Sequence, residues 1–259
     1  MPIITLTSDW GLKDHYLTSV KGAIYSQLPG AVIVDISHQV SSFDLIQAAF
    51  ILRNSWNSFP KGTIHIIGVN SEASIDTPHS VVFYHDHYFI GADNGIFSLI
   101  FDDTPEKIVE LDIIQDSDYF TFSTRDVFCK VACHIATGKS VDELGRPKEG
   151  LLQKLPFKPV IDGNLIKGKV IYIDHYENVF TNISENLFTS MTRGKKFVIQ
   201  FRSDAYRITK MSKSYKDVVQ GEMLALFSTT GLLQIAINQG KASGLLGLRI
   251  DQSILVEIL

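Results

Sequence analysis

The sequence predicts two domains: an α/β N-terminal domain with a mostly parallel sheet over residues 1–155, and a smaller all-β C-terminal domain over residues 164–259. Three observations lead to this. In the first part of the chain, short β-rich runs alternate with helical periodicities, the pattern of an α/β fold. From about residue 164, strand-like runs follow one another closely, with only polar or Gly-containing turns between them, as in a sandwich or barrel. Between the two patterns lies Leu155-Pro156-Phe157-Lys158-Pro159. Each proline biases its predecessor toward extended backbone, so residues 156–163 are expected to form a linker.

The first strand is the apolar run Ile3 to Thr7, and Tyr16 to Gln27 has the spacing of a helix. Val32 to Ile36 is the second strand, Phe43 to Trp56 the second helix and Ile64 to Val69 the third strand. Val81 to Tyr84 and Tyr88 to Gly91 flank the polar turn His85-Asp86-His87, which predicts a hairpin. Asp93-Asn94-Gly95 reads as a turn, because Asn and Gly both tolerate positive φ. Arg125-Asp126 opens a helix as an ion pair. Cys129 and Cys133 are one helical turn apart on a single face. With His134 they fall short of the usual four ligands of a zinc site, so they are expected to pack in a core, and no metal is expected. In the second domain the strands are Gly168 to Ile173, Lys196 to Phe201, Ala205 to Ile208, Met223 to Ser228, Leu232 to Ile237 and Ser253 to Ile258.

Composition narrows the function. With 45% hydrophobic residues the chain has enough apolar side chains for real cores. The net charge is -4 with both signs interspersed and no basic block, so a surface tracking nucleic-acid phosphates is not expected. No segment resembles a signal peptide or approaches the length of a membrane span, and a soluble, cytoplasmic protein is expected.

Four motifs carry the functional reading. Thr7-Ser8-Asp9-Trp10-Gly11 ends the first strand, where open α/β sheets bind ligands, and a carboxylate there suits the two hydroxyls of a ribose. Ala92-Asp93-Asn94-Gly95, Arg125-Asp126 and Asp174-His175-Tyr176-Glu177-Asn178 follow in order. At these intervals, over nearly the whole chain, they resemble the S-adenosyl-L-methionine (SAM) hydroxide adenosyltransferase family, which includes SAM-dependent fluorinases and chlorinases. The resemblance implies a homotrimer with its ligand site between the N-terminal domain of one subunit and the C-terminal domain of the next. The partner it implies is a small adenosine compound, with SAM as ligand or substrate and no further cofactor.

The resemblance also implies roles. Asp9 would hold the ribose hydroxyls, and Asp14 matches a second acidic position near the methionine end. Phe43 corresponds to an aromatic lining the sugar and sulfonium; an aromatic face attracts such a cation by roughly 0.5 to 2 kcal/mol. On its own Phe43 reads more often as a hydrophobic staple at a helix start, and the resemblance brings the two readings level. Asp174 would hold the ammonium of the methionine portion and Asn178 an adenine edge, although Tyr176-Glu177 stands where the family has Phe-Gly. Thr230 supplies a hydroxyl where the family has Ser, and Thr124 fits a small or hydroxyl position of the halogenases.

The catalytic set is where this sequence departs. The family hydrolases have an Asp in a Val-Asp-Pro-Gly-Val-Gly loop, an Arg seven residues on and a His two residues before the Arg-Asp pair. The matching positions here are Asn70, Thr77 and Ser123. Asn70 is no carboxylate base, Thr77 has no charge, and Ser123 has no useful proton affinity at neutral pH. Glu72, Asp76 and His79 lie in the altered loop and offer a base from a shifted position. Three readings stay open: a slow SAM hydrolase, an adenosine- or SAM-binding protein without turnover, and a structural trimer subunit. Halogenation is not expected, because a halide needs a dry pocket with aimed donors and only Thr124 fits that pattern.

Overall fold

The computed structural model describes residues 3–113, 121–155 and 157–259, and Pro156 of the expected linker lies outside the described residues. The chain divides into two compact units, Met1–Leu155 and Pro156–Leu259.

In the first unit, β1 (Ile3–Ser8), α1 (Tyr16–Gln27), β2 (Val32–Ser37), α2 (Leu45–Arg53) and β3 (Ile64–Gly68) are followed by β4 (His79–Tyr84), β5 (His87–Ala92), α3 (Ile96–Ile100), β6 (Lys107–Leu111), α4 (Cys129–Ala136) and β7 (Gly145–Pro147). The strands form one sheet in the order β2-β1-β3-β5-β4-β6-β7. β3 is buried along its whole length and β1 along nearly all of it, as expected of central strands covered on both faces. Helices cover both faces, with a separate apolar cluster on each. Val20 and Ile24 of α1 and Val131, Ala132 and Cys133 of α4 pack on Ile4, Leu6, Ile64 and Ile66. Leu45, Ala48 and Leu52 of α2 and Ile96 and Phe97 of α3 pack with Ile67, Val82 and Phe89. The period of two along β3 thus divides its side chains between two cores. Cys129 and Cys133 lie buried in the first cluster, their thiols directed at the carbonyls of Val20 and Ile24. Burial pushes both thiols above the ordinary range.

The sheet is mixed rather than mostly parallel. β1 pairs in parallel with β2 and β3, and β3 with β5, while β4 with β5, β4 with β6 and β6 with β7 are antiparallel. The reversal begins at the β4–β5 hairpin, whose turn residues His85 and Asp86 take φ 50° and 64°, the paired positive φ of a tight two-residue loop. β6 and β7 then return on the far side; both are short and carry charge, and neither stands out in the sequence. The second helix also begins later than its periodicity suggests. Asp44 caps it by accepting from the Gln47 N–H at 2.9 Å, so Phe43 lies outside the helix. Trp56 falls in a separate 3-10 turn.

The second unit comprises β8 (Val160–Asp162), β9 (Leu165–Ile173), β10 (Val179–Ser184), α5 (Glu185–Thr192), β11 (Phe197–Phe201), β12 (Ser203–Ile208), β13 (Met223–Phe227), β14 (Leu232–Ile237), α6 (Ala242–Leu246) and β15 (Ser253–Ile258). Its sheet runs β12-β11-β15-β9-β10-β14-β13, antiparallel throughout, and β8 pairs with β9 inside the stretch expected as linker. Gly168 of β9 is needed for close packing, since a Cβ there would meet Ile183 at 2.5 Å. Ile166, Val170, Val179, Ile199, Ile235 and Val256 belong to one core. Among the described residues no helix is long and apolar enough to cross a membrane.

The α2 side of the first sheet encloses a titratable pair. His65 Nδ1 lies 2.7 Å from Thr5 Oγ1, its Nε2 lies 3.1 Å from His87 Nδ1, and its ring stacks on Phe89. Burial, with the neighbouring His87, pulls His65 down to about 3. A histidine depressed in the fold takes up its proton first in the unfolded chain. Stability is therefore intact above about pH 6.5 and lost as pH falls from there toward 3. Between pH 7 and 4.5 this one group should remove about 2 to 3 kcal/mol. Urea denaturation of His65→Phe should lose that much less over the same interval than the parent protein, and equal losses in the two would contradict the assignment.

Candidate functional site

The parallel strands end together along one edge of the first sheet, and Asp9 is the first residue beyond β1 on that edge. Its Oδ2 accepts a hydrogen bond of 2.8 Å from the backbone N–H of Phe43, which lies just ahead of α2. The structure thus brings together two residues separated by more than thirty positions in sequence. Phe43 has φ 65°, rare for a bulky residue, and its ring is 71% exposed. The staple reading therefore fails: a side chain stapled to the helix would be covered. An aromatic ring held outward on strained backbone beside a carboxylate is a feature to be explained by function.

The Asp9 segment is braced from behind. Gly11 N–H donates to the His38 carbonyl at 2.7 Å, and Ser8 Oγ lies 2.7 Å from His38 Nδ1. Trp10 stacks on the His38 ring, contacts Phe122 edge-on and covers Gly68, where a Cβ would meet its indole at 2.4 Å. His38 Nε2 lies 3.2 Å from Asp35 Oδ1 without hydrogen-bond alignment, and Lys21 Nζ is 2.7 Å from Asp35 Oδ2. Partial burial pushes the Asp35 carboxyl up, but Lys21 and His38 outweigh it and leave it below its ordinary value. Asp14 is exposed ahead of α1.

The loop after β3 occupies the same edge. Asn70 is exposed with φ 45°, and its carbonyl accepts from Asn94 Nδ2 at 2.8 Å. Asn94 is buried and also reaches the Val69 carbonyl at 3.4 Å, so the Asp93-Asn94-Gly95 turn anchors the loop. Asp93 is fully buried, with its carboxylate on Lys148 Nζ and the Leu152 N–H. Thr124, also fully buried, donates from Oγ1 to Ser71 Oγ at 3.1 Å, and its neighbour Ser123 is buried. Thr77 closes a small turn with Ser74 through two backbone bonds and a hydroxyl contact of 2.8 Å. Glu72 and Asp76 are exposed on that loop. His79 is half-buried, with its Nε2 2.9 Å from the Ser71 carbonyl and its ring edge-on to Phe128. Burial lowers its proton affinity, and the hydrogen bond to Ser71 opposes that only in part. Arg125 and Asp126 form a two-pronged ion pair at 2.5 and 2.8 Å.

In the second unit, Asp174 and Asn178 hold each other across the β9–β10 turn. Asp174 Oδ1 accepts from Asn178 N–H at 2.8 Å and Oδ2 from its Nδ2 at 2.9 Å. Thr230 lies in the β13–β14 turn, its Oγ1 2.6 Å from Ser228 Oγ. Sequence reasoning missed His38 and Asn94 as supports. Asn94 was visible as a turn residue, but nothing in a sequence reveals where a turn amide points.

The first unit thus presents a carboxylate, an exposed aromatic ring, hydroxyls and a neutral imidazole along one sheet edge, a set fitted to a polyhydroxylated ligand with a cationic or aromatic part. The family model of the SAM hydroxide adenosyltransferase N-terminal domain matches residues 4–145, and that of the C-terminal domain matches residues 168–255. The chain is 27% identical to the (R)-S-adenosyl-L-methionine hydrolase of Thermus thermophilus, over 93% of this chain and 94% of that protein. It is 22% identical to a fluorinase of Nocardia brasiliensis, over 99% and 97%. Among solved structures, an uncharacterized conserved protein from Thermotoga maritima superposes with a TM-score of 0.88 at 28% identity, covering 98% of this chain and 99% of that one.

The strain at Phe43 is testable alone. Deleting a buried Phe side chain costs about 3 to 5 kcal/mol. Phe43→Gly removes an exposed ring and frees a positive φ, so its urea midpoint should equal or exceed that of the parent; a large loss would show that the ring is packed.

Proposed function

Because the chain belongs to the SAM hydroxide adenosyltransferase family, we propose that it binds SAM or a closely related adenosine compound between subunits of a homotrimer, and that it hydrolyses SAM slowly to adenosine and methionine. The observation that carries this reading is the Asp9–Phe43 pair. Among the described residues one carboxylate oxygen of Asp9 is engaged, by the Phe43 N–H, and each carboxylate oxygen has two lone pairs, so acceptor capacity is left for a ribose diol. The outward ring of Phe43 supplies an aromatic face for the sulfonium. Asn70, Ser123 and Thr124 border the same edge, while Asp174, Asn178 and Thr230 supply polar groups from the second unit. Asp14 joins them from its exposed turn at the methionine end.

In hydrolysis the water oxygen bonds to the ribose C5′ carbon, the C5′–S bond breaks, its electron pair stays on the methionine sulfur, and one proton leaves the water. SAM carries a good leaving group, so a site that aligns water retains part of the acceleration by proximity. Of the three groups near the lost base, His79 is best suited to take the proton. It is neutral at pH 7, and with Nε2–H donated to Ser71 its Nδ1 is the acceptor nitrogen. Glu72 and Asp76 stand in water on the loop. The second reading, binding without turnover, is favoured by one feature: Asn70, Thr77 and Ser123 are all uncharged.

Titration calorimetry should detect SAM or adenosine, with Asp9→Ala weakening binding by at least about 1.5 kcal/mol, as expected when hydroxyls lose a charged acceptor. Absence of heat with every adenosine compound would favour the structural-subunit reading. Chromatography after long incubation with excess protein should find adenosine and methionine at a rate lowered by about 10²- to 10⁴-fold, the usual contribution of a positioned base. No halogenated nucleoside should form with chloride or fluoride. His79→Ala should lower the residual turnover further, to what alignment of water alone supplies; an unchanged rate would show that His79 is not the base.

A further inference from the structure

The turn between β9 and β10 contains a residue whose backbone is poorly suited to its side chain. Glu177 has φ 63°, a conformation that glycine adopts freely and a residue with a Cβ does not. Its side chain nonetheless makes defined contacts with the start of α6. Oε2 accepts from the Gly244 N–H at 3.0 Å, Oε1 lies 3.0 Å from Lys241 Nζ, and the Glu177 carbonyl accepts from the Ser243 N–H at 2.9 Å. A Cβ on residue 244 would come within 2.9 Å of the carboxylate, so the glycine there admits it. At the other end of α6, Arg202 Nη1 donates to the Leu246 carbonyl at 3.0 Å. This short helix is therefore tied by side chains at both ends. Within the turn, Glu177 N–H donates to the Asp174 carbonyl, next to the two bonds that join Asp174 to Asn178.

We propose that Glu177 is a positioning residue, fastening the Asp174–Asn178 turn to α6 so that the carboxylate and amide are held in register before a ligand arrives. The inference rests on the reading of Asp174 and Asn178 as ligand contacts. A turn held this way loses less conformational freedom on binding than a free one.

Glu177→Gly tests it, because its effects on backbone and on fastening have opposite signs. Glycine relieves the positive φ, and an exposed ion pair contributes little to stability, so the melting temperature should be unchanged or higher. The side-chain part of the fastening is lost while the backbone bond from Ser243 stays, so hydrogen exchange of the Asn178 amide in the ligand-free protein should quicken about tenfold, and affinity for SAM or adenosine should fall about five- to tenfold. Glu177→Gln keeps an oxygen for Gly244 and should restore much of both. Parent-like exchange and affinity in Glu177→Gly would overturn the proposal, as would stability and affinity falling together, the mark of a merely structural role. Failure of the parent protein to bind any adenosine compound would overturn the binding reading and the ligand role of Glu177 with it. Unchanged exchange at Asn178 overturns the fastening itself, whatever binds.

Discussion

The candidate site of the first unit depends on the parallel pairing of β2, β1, β3 and β5. Parallel strands end on the same side of a sheet, so the residues that follow β1, β3 and β5 emerge along one edge although they are far apart in sequence. β4 runs the other way, which brings its first residue, His79, to that edge. β1 is an inner strand, with β2 and β3 on either side and nearly all of its length buried. Two hydrogen bonds, Asp44 N–H to the Ser41 carbonyl at 3.0 Å and Phe43 N–H to Asp9 Oδ2 at 2.8 Å, hold a bulky residue at φ 65° beside the end of β1. Strained backbone of this kind persists only where its surroundings over-determine it.

Scaffold and chemistry are separable here in physical terms. The groups that brace the edge are intact: Ser8 on His38, Gly11 on the His38 carbonyl, Asn94 on the Asn70 carbonyl, and Thr124 on Ser71. Asn70, Thr77 and Ser123 carry no charge. Binding a ribose requires acceptors in place, whereas activating water also requires a group of suitable proton affinity within reach. In the proposed reading Asp9 meets the first of these and His79 the second.

Much of the fold was legible in the sequence because it is written in periodicity. Ile3 to Thr7 and Ile64 to Val69 are mostly apolar β-rich runs, and the His85-Asp86-His87 turn marks its hairpin. Sheet direction was not legible to the same degree: β6 and β7 are short, partly charged strands, and their antiparallel return adds two antiparallel pairings to that of the β4–β5 hairpin, three of the sheet's six. The start of α2 was misplaced by the apolar character of Phe43, which periodicity cannot distinguish from a core residue; the cap at Asp44 decides it. Asp9, Asp174 and Asn178 stood out through motifs. Their partners did not, since the contact of Asp9 with Phe43 and that of Glu177 with α6 arise from tertiary approach, which leaves no local mark.

In the proposed reading the sheet edge at Asp9 binds a nucleoside. Diffraction from crystals grown with SAM or adenosine tests it most directly. The account predicts both ribose hydroxyls within hydrogen-bonding distance of the Asp9 carboxylate, with the Phe43 N–H still on Oδ2 and its ring against the sugar or sulfonium. A nucleoside bound elsewhere on the protein, with Asp9 and Phe43 unchanged and solvent-facing, would contradict it.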